Sequence, residues 1–248
     1  MAKFDMAAAW EDSVTLLKSH SALTGTVAAA FLFLPALVVA WFGPVPVEPA
    51  EGAGLPQIVE AMQQSMRATL PYQLGAALLA MIGTLAILRL WLARSGTSVG
   101  ESLGFAAALF PTMIIVQLLT GLMMGFAALL LVVPALYLVG RLSVAVPLLA
   151  DRGIRNPIEP IRQSWALTHG NGWAIFFFLF LVAVVIFIVA MILIGVTGAV
   201  AGSEPGVGRM VAGVVEAGVG AVGSLVSIAV SAAVYRQLAV RGAGDAFA

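Results

Sequence analysis

Cysteine is absent, which excludes disulfides, thiolate nucleophiles and thiolate-bound metals and leaves the redox compartment unconstrained. Charge is scarce as well. Only 10% of the 248 residues are Asp, Glu, Lys or Arg, against ~25% in an ordinary soluble domain. Twelve cations balance twelve anions, so no basic excess is left to neutralise the phosphates of a nucleic acid, and no nucleic-acid partner is expected. There are two histidines, His20 and His169, and neither has an acidic cluster beside it. They read as solvated interface residues rather than metal ligands. Without a nucleophile, acid/base partners or a metal set, the residues imply no catalytic, metal or cofactor site.

What is present is apolar: 61% of residues are hydrophobic and the mean hydropathy is +1.06. So few ionisable groups cannot coat a globule of this size, so lipid must cover most of the surface. A crossing helix needs ~20 mostly apolar residues, because every backbone amide must be satisfied internally across the hydrocarbon. Charge-free runs occupy 21–47, 68–88, 102–140, 163–203 and 217–235. The third run is 39 residues long, which suits two crossings joined by a tight turn near Thr120-Gly121 or Gly125. The expectation is an all-α polytopic protein with six spans at 22–42, 72–93, 102–122, 126–149, 173–196 and 210–238.

Lys3, Lys18, Arg89, Arg94, Arg141, Arg152, Arg155, Arg162, Arg236 and Arg241 fall on one side of these spans, with Arg67 and Arg209 alone on the other. Short cytoplasmic loops retain cations, so both termini are expected in the cytoplasm. Residues 43–70 read as an external loop. Its first part is rich in proline and glycine and carries Glu48 and Glu51, and a short amphipathic helix follows with Ile58, Val59, Met62 and Met66 on its apolar side. The N-terminus carries Asp5, Glu11 and Asp12 and lacks a cleavage pattern, so it is expected to be retained rather than removed as a signal peptide.

Helix-start signals precede three of the spans. Asp5 would cap a helix over 5–20 lying along the interface, with Trp10, Val14 and Leu17 on one face. Asn156-Pro157-Ile158-Glu159 places a cap, a proline at the first helical position and a glutamate at the third. The helix it opens, over 156–169, puts Ile158, Ile161 and Trp165 opposite Glu159, Arg162 and Gln163, and Gly170 can close it in the left-handed region. Ser98-Val99-Gly100-Glu101 repeats the cap 58 residues earlier, opening a third such helix over 98–108. Asp5 to Ala22 and Asn156 to Trp173 are both seventeen residues. The expectation is three units, each a cytoplasmic amphipathic lead-in helix followed by a membrane hairpin. Two exits match, with Arg89 and Arg94 closing span two and Arg236 and Arg241 closing span six; any helix leaving a membrane inward also ends in this way.

The segment Pro134-Ala135-Leu136-Tyr137-Leu138-Val139-Gly140-Arg141, then Pro147 and Asp151, then Arg162-Gln163-Ser164-Trp165-Ala166-Leu167-Thr168-His169-Gly170, resembles the glycerophosphoryl diester phosphodiesterase membrane domain family. Tyr235-Arg236-Gln237-Leu238 is similar to that family's ending. The likeness implies a six-helix bacterial inner-membrane protein. The family's name comes from fusion, in some members, to a soluble catalytic barrel. All 248 residues here are spent on membrane helices and their connections, so phosphodiesterase activity is not expected to come with the resemblance.

Ionisable groups at membrane depth are functional candidates. Arg141 is expected ~12 Å inside the end of span four, either reaching lipid phosphates or helix carbonyls or binding a ligand. Glu216 lies two turns from Arg209 on span six, toward the opposite leaflet, so an Arg141–Glu216 pair is not expected. Gly213, Gly220, Ser224, Ser227 and Ser231 share one side of span six, as a packing seam or as a substrate path. Phe176, Phe177, Phe178, Phe180 and Phe187 are expected against lipid or neighbouring helices. The leading reading is a non-enzymatic, lipid-facing scaffold or accessory protein with membrane lipids as partners. Its rim of Arg89, Arg94, Arg141, Arg152, Arg155 and Arg162 would touch anionic headgroups. The rival is a small transporter or channel using Arg141, Gln117 and Glu216, and a membrane enzyme comes third.

Overall fold

The computed structural model describes residues 4–19, 21–44, 52–93, 96–201 and 206–245, with the side chains of Ala201 and 240–245 left out. Lys3, His20, Glu48, Glu51, Arg94 and the Arg241 side chain therefore lie outside the described residues. All regular structure described is helical. In chain order come α1 (Met6–Lys18), α2 (Ser21–Ala28), a π-helical turn (Ala29–Phe33), α3 (Leu34–Phe42), α4 (Leu55–Leu92), α5 (Val99–Leu130), α6 (Val132–Leu142), α7 (Ala145–Arg152), α8 (Ile158–Leu167), α9 (Gly172–Ala201) and α10 (Val207–Asp245). Six stretches are long and apolar enough to cross a membrane: Ser21–Phe42, Leu55–Leu92, Val99–Leu130, Val132–Arg152, Gly172–Val200 and Val207–Ala239. The chain is an all-α, multi-pass membrane protein.

Local chemistry explains most helix ends. The Asp5 carboxylate accepts from the amides of Ala7 and Ala8, filling two of the donors that a first helical turn leaves open. Ser98 and Glu101 close a reciprocal capping box. The Asn156 side chain accepts from the Ile158 amide at 3.1 Å, but Glu159 turns to Gln163 and Arg162 instead of reaching back. Gly170 adopts φ +79° after α8, as expected of a helix-ending glycine. Within the first span Pro35 has no amide to give to the preceding turn, and the π-helical turn, with Leu34 bonding Ala29, absorbs the fault.

Five expectations are corrected. The reversal between spans three and four is not at Gly121 or Gly125, because α5 runs on to Leu130 and the chain turns on one extended residue, Leu131, at φ −160°. Glycine only weakens a helix, and inside hydrocarbon a break would strand backbone groups. Pro134, in the first turn of α6 where an amide has no partner anyway, marks the real start. The external loop expected over 43–70 ends earlier and its amphipathic helix is not separate, since α4 starts at Leu55 and continues through Pro71. The helix over 98–108 is likewise the first part of α5. Span four is not continuous: α6 ends at Leu142 and α7 starts at Ala145. On α1 the inward face is Ala9, Ser13 and Leu16, while Trp10 is exposed.

Helices α4, α5, α6, α9, α10 and α3 pack in sequence, and α3 meets α4 again, so the six close a ring. Spans two and three pack as intimately as the pairs within the expected hairpins, so the packing does not divide into three units. Helix α7 lies inside the ring against α4, α5 and α10, with Leu148, Leu149 and Ala150 fully buried. Asp12 pairs with Arg236 at 3.1 Å, and Asp5 and Gln237 exchange hydrogen bonds. The beginning and end of the described chain therefore share one end of the bundle, called here the terminal end. The α3–α4 and α9–α10 connections form the far end.

Close approach, rather than exclusion of water, holds helices together in lipid. Gly140 on α6 packs against Gly172 at the start of α9. A Cβ there would run into the Gly172 carbonyl oxygen and sit 3.0 Å from the Phe176 amide nitrogen. Gly140→Ala is expected to cost about 1–3 kcal/mol, seen as a lower thermal unfolding midpoint in detergent. Gly104→Ala meets nothing within 4 Å, so the midpoint should hold or rise by the ~0.5–1 kcal/mol that alanine gains over glycine in a helix.

Candidate functional site

Two adjoining chambers, both partly open, lie between the helices of the ring. The larger, about 1020 Å³, reaches the far end at Gly43, Pro44 and Arg209 and is walled by α3, α4, α9 and α10. Its polar lining comes from Thr69, Tyr72, Gln73 and Thr84 on α4 and from Glu216, Ser224 and Ser227 on α10. The smaller, about 370 Å³, lies deeper and is lined by Gln117, Ser143 and Ser231 among others. Both chambers are lined by Ala80, Thr84, Ser227 and Ile228, so they adjoin at these residues. Val146 and Pro147 of α7 line the inner chamber on the side where α7 fills the ring.

Helical spacing produces this lining. Residues 69, 73, 76, 80 and 84 recur at three or four, so one face of α4 turns Thr69, Gln73, Ala76, Ala80 and Thr84 to the cavity, with Tyr72 beside it. On α10 the small-residue stripe divides. Gly213 is a packing residue, since a Cβ would come 2.8 Å from the Trp41 ring, and the Trp41 indole N–H donates to the Met210 carbonyl beside it. Gly220 meets nothing within 4 Å and, with Ser224 and Ser227, faces the cavity. The hydroxyls of Ser227 and Ser231 donate to carbonyls one turn back, at 2.9 and 2.8 Å. They present oxygen lone pairs to the space.

The candidates named from the sequence are thus separated. Glu216 lines the larger chamber and Gln117 the smaller, and Arg141 lines neither. Arg141 is instead 1% exposed, with its guanidinium 4.3 Å from the Trp165 ring centre and 5.7 Å from that of Tyr137. Its carbonyl, freed by the end of α6, accepts from Ser164 Oγ at 2.7 Å, with Thr168 Oγ1 at 3.1 Å. Arg89 lies over Phe105 at 4.3 Å and donates to the Asp151 carbonyl, so it ties α4 to α5 and α7. Arg162 is outward and pairs with Glu159 at 3.3 Å. Phe176 and Phe178 are buried in the protein, whereas Phe177, Phe180 and Phe187 are exposed.

Several polar links at the terminal end were not foreseen. Tyr235 Oη donates to Asp151 at 2.5 Å, joining α10 to α7. The Trp91 indole N–H donates to Thr24 Oγ1 at 3.2 Å. A relay runs from α7 to α8: Arg152 donates to Gln163 Oε1 at 2.6 Å, and Gln163 Nε2 donates to Glu159 at 2.7 Å. That bond from Gln163, then the charges of Arg162 and Arg152, holds the Glu159 carboxyl below its usual range. Nothing in single-helix periodicity reports these pairs. The α4 lining was not named from the sequence either; its signal is that Thr69, Gln73 and Thr84 interrupt an apolar run on one face.

Among the described residues no three His, Asp or Glu gather as a metal-binding group. No family model, curated protein or solved structure matches the chain.

Tyr235→Phe strands one oxygen of Asp151 against α10, and a bond to a carboxylate is worth about 1.5–3 kcal/mol. Thermal unfolding in detergent should show a loss of that size. Because folding lowers the Glu159 pKa, its contribution is complete above the ordinary glutamate range and is lost as pH falls through the lowered value. Glu159→Gln should therefore flatten the acid limb of a stability profile that wild type shows.

Proposed function

We propose that the chain is a small transporter or channel of a bacterial inner membrane, with the two adjoining chambers as its polar site. The observation that carries this is that the two chambers share Thr84 and Ser227 as lining, with Glu216 on the larger and Gln117 on the smaller. A packing seam alone would need no carboxylate, amide or hydroxyls on its surface, and this lining carries all three. Arg209 and Glu216 line the larger chamber seven residues apart on α10, about 10 Å along the axis. A cation and an anion at that spacing suit a small polar or zwitterionic solute, oriented by both and passed to the hydroxyls and amides below.

The distribution of arginine assigns the terminal end to the cytoplasm, so the larger chamber faces outward and α7 is its inner barrier. Conduction then requires α7 to shift relative to α4 and α10. The lipid-facing scaffold reading and the resemblance of residues 134–170 to a membrane-domain family add no solute to this proposal.

The absence of cysteine makes the test direct. Ser224→Cys and Ser227→Cys should react with a membrane-impermeant maleimide added to sealed vesicles from the far-end side, and not from the terminal-end side. Ala229→Cys and Ala233→Cys, both fully buried, should stay unmodified from either side. Protection of Ser227→Cys from both sides, with Ser224→Cys equally silent, would show a dry seam and remove the proposal.

A further inference from the structure

Arg141 is the largest fully buried side chain described, and its Nε and Nη1 atoms have no hydrogen-bond partner. Guanidinium does not deprotonate in a protein, so this is a permanent buried charge. No carboxylate answers it: the ion pairs among the described residues are Arg162–Glu159 and Arg236–Asp12. The faces of Trp165 and Tyr137 supply attraction, but a ring quadrupole offsets only part of a lost hydration shell and fills no N–H donor.

The surroundings raise the demand for negative charge. Arg141 Cδ is 2.8 Å from where a Cβ on Gly172 would stand, so the guanidinium stem lies against the first residue of α9. The first amides of a 30-residue helix have no intrahelical acceptor and form the positive end of its dipole. The stem of a fixed cation thus lies against a helix N-terminus, and no carboxylate pairs with that cation. Both are ordinary components of phosphate sites, the fork of arginine by its geometry and the helix start by its amides.

The depth suits such a ligand. Trp165 and Trp173 flank Tyr137 with ring centres at 6.3 and 5.5 Å. Both indoles are partly exposed, at 42% and 41%, the amphipathic placement found at the headgroup level of bilayers. Ile158, also exposed, continues an apolar outer face on α8 toward lipid. We propose that Arg141, with the first turn of α9 and the Trp165–Tyr137 cradle, is a buried binding site for a phosphate group, presented by an anionic phospholipid or free in solution. This site is separate from the central cavity and does not depend on the transport reading.

The test uses the full chain, stripped of lipid in an uncharged detergent. Its thermal midpoint is measured with phosphatidylglycerol, with diacylglycerol lacking the phosphate, and with inorganic phosphate. A saturating phosphate ligand should raise the wild-type midpoint by about 5–10 °C. A rise with phosphatidylglycerol alone assigns the site to lipid, and a rise with inorganic phosphate as well assigns it to the free anion. Arg141→Met removes the charge at similar volume. It should melt no lower than stripped wild type and should lose the response, whereas Arg162→Gln should keep it. Should Arg141→Met fail to fold, native mass spectrometry of wild type must still show one phosphate-bearing molecule retained per chain. Equal shifts with diacylglycerol and phosphatidylglycerol, an unchanged response in Arg141→Met, or no retained or stabilising phosphate ligand would each overturn the proposal.

Discussion

The bundle depends on how the break in its fourth crossing is satisfied. Where α6 stops at Leu142, its last carbonyls lose their helical donors, and in hydrocarbon no water replaces them. Ser143 Oγ turns back to the Gly140 carbonyl at 2.9 Å, and Ser164 reaches across from α8 to the Arg141 carbonyl. With those groups answered, α7 is free to leave the line of α6 and enter the ring. A straight fourth helix would occupy the periphery and leave the centre without a barrier.

Elsewhere the ring closes by contact at small residues and by a few polar pins. Gly83 meets the π-helical turn, where a Cβ would lie 2.6 Å from Phe31 Cβ, so the fault that Pro35 imposes becomes the place where α4 approaches most closely. Gly140 acts similarly where α6 meets the start of α9, and Gly213 where α10 meets α3. Trp91 to Thr24, Trp41 to Met210 and Tyr235 to Asp151 fix the rotation of helices whose apolar surfaces alone would slide. Helix α9 makes the contrast plain. From Phe180 onward most of its large side chains are exposed, as suits a helix whose solvent is lipid.

Six crossings were legible because charge is kept scarce across hydrocarbon, so the charge-free runs gave their number and order; their bounds were less legible, since Arg141 and Glu216 lie within spans four and six and the second span starts at Leu55, seventeen residues before the expected Tyr72. The caps at Asp5, Ser98 and Asn156 were legible for a local reason: each acts within three residues of itself. The reversal at Leu131 was not, because its residues are as apolar as the helices beside it and the usual glycine signal pointed elsewhere. The fate of Arg141 was also hidden. Its sequence neighbours suggested a cation near the end of a helix, and only the fold brings Trp165 and the start of α9 onto it. The division of the α10 stripe into packing glycine and cavity serine depends on Trp41, 169 residues away from Met210.

The same short helix links the two places where polar chemistry is concentrated. Helix α8 holds the Arg141 carbonyl through Ser164, and through Gln163 it holds Arg152 at the end of α7. Its inward residues Pro160, Ser164 and Thr168 are buried, so α8 cannot move without disturbing both attachments. The floor of the central cavity and the cradle around Arg141 are therefore two consequences of one broken helix, joined by ten residues that lie across the break. A rigid fourth crossing would have required neither the hydroxyls of α8 nor the relay through Gln163, and it would have left no element inside the ring able to separate the two ends of the bundle.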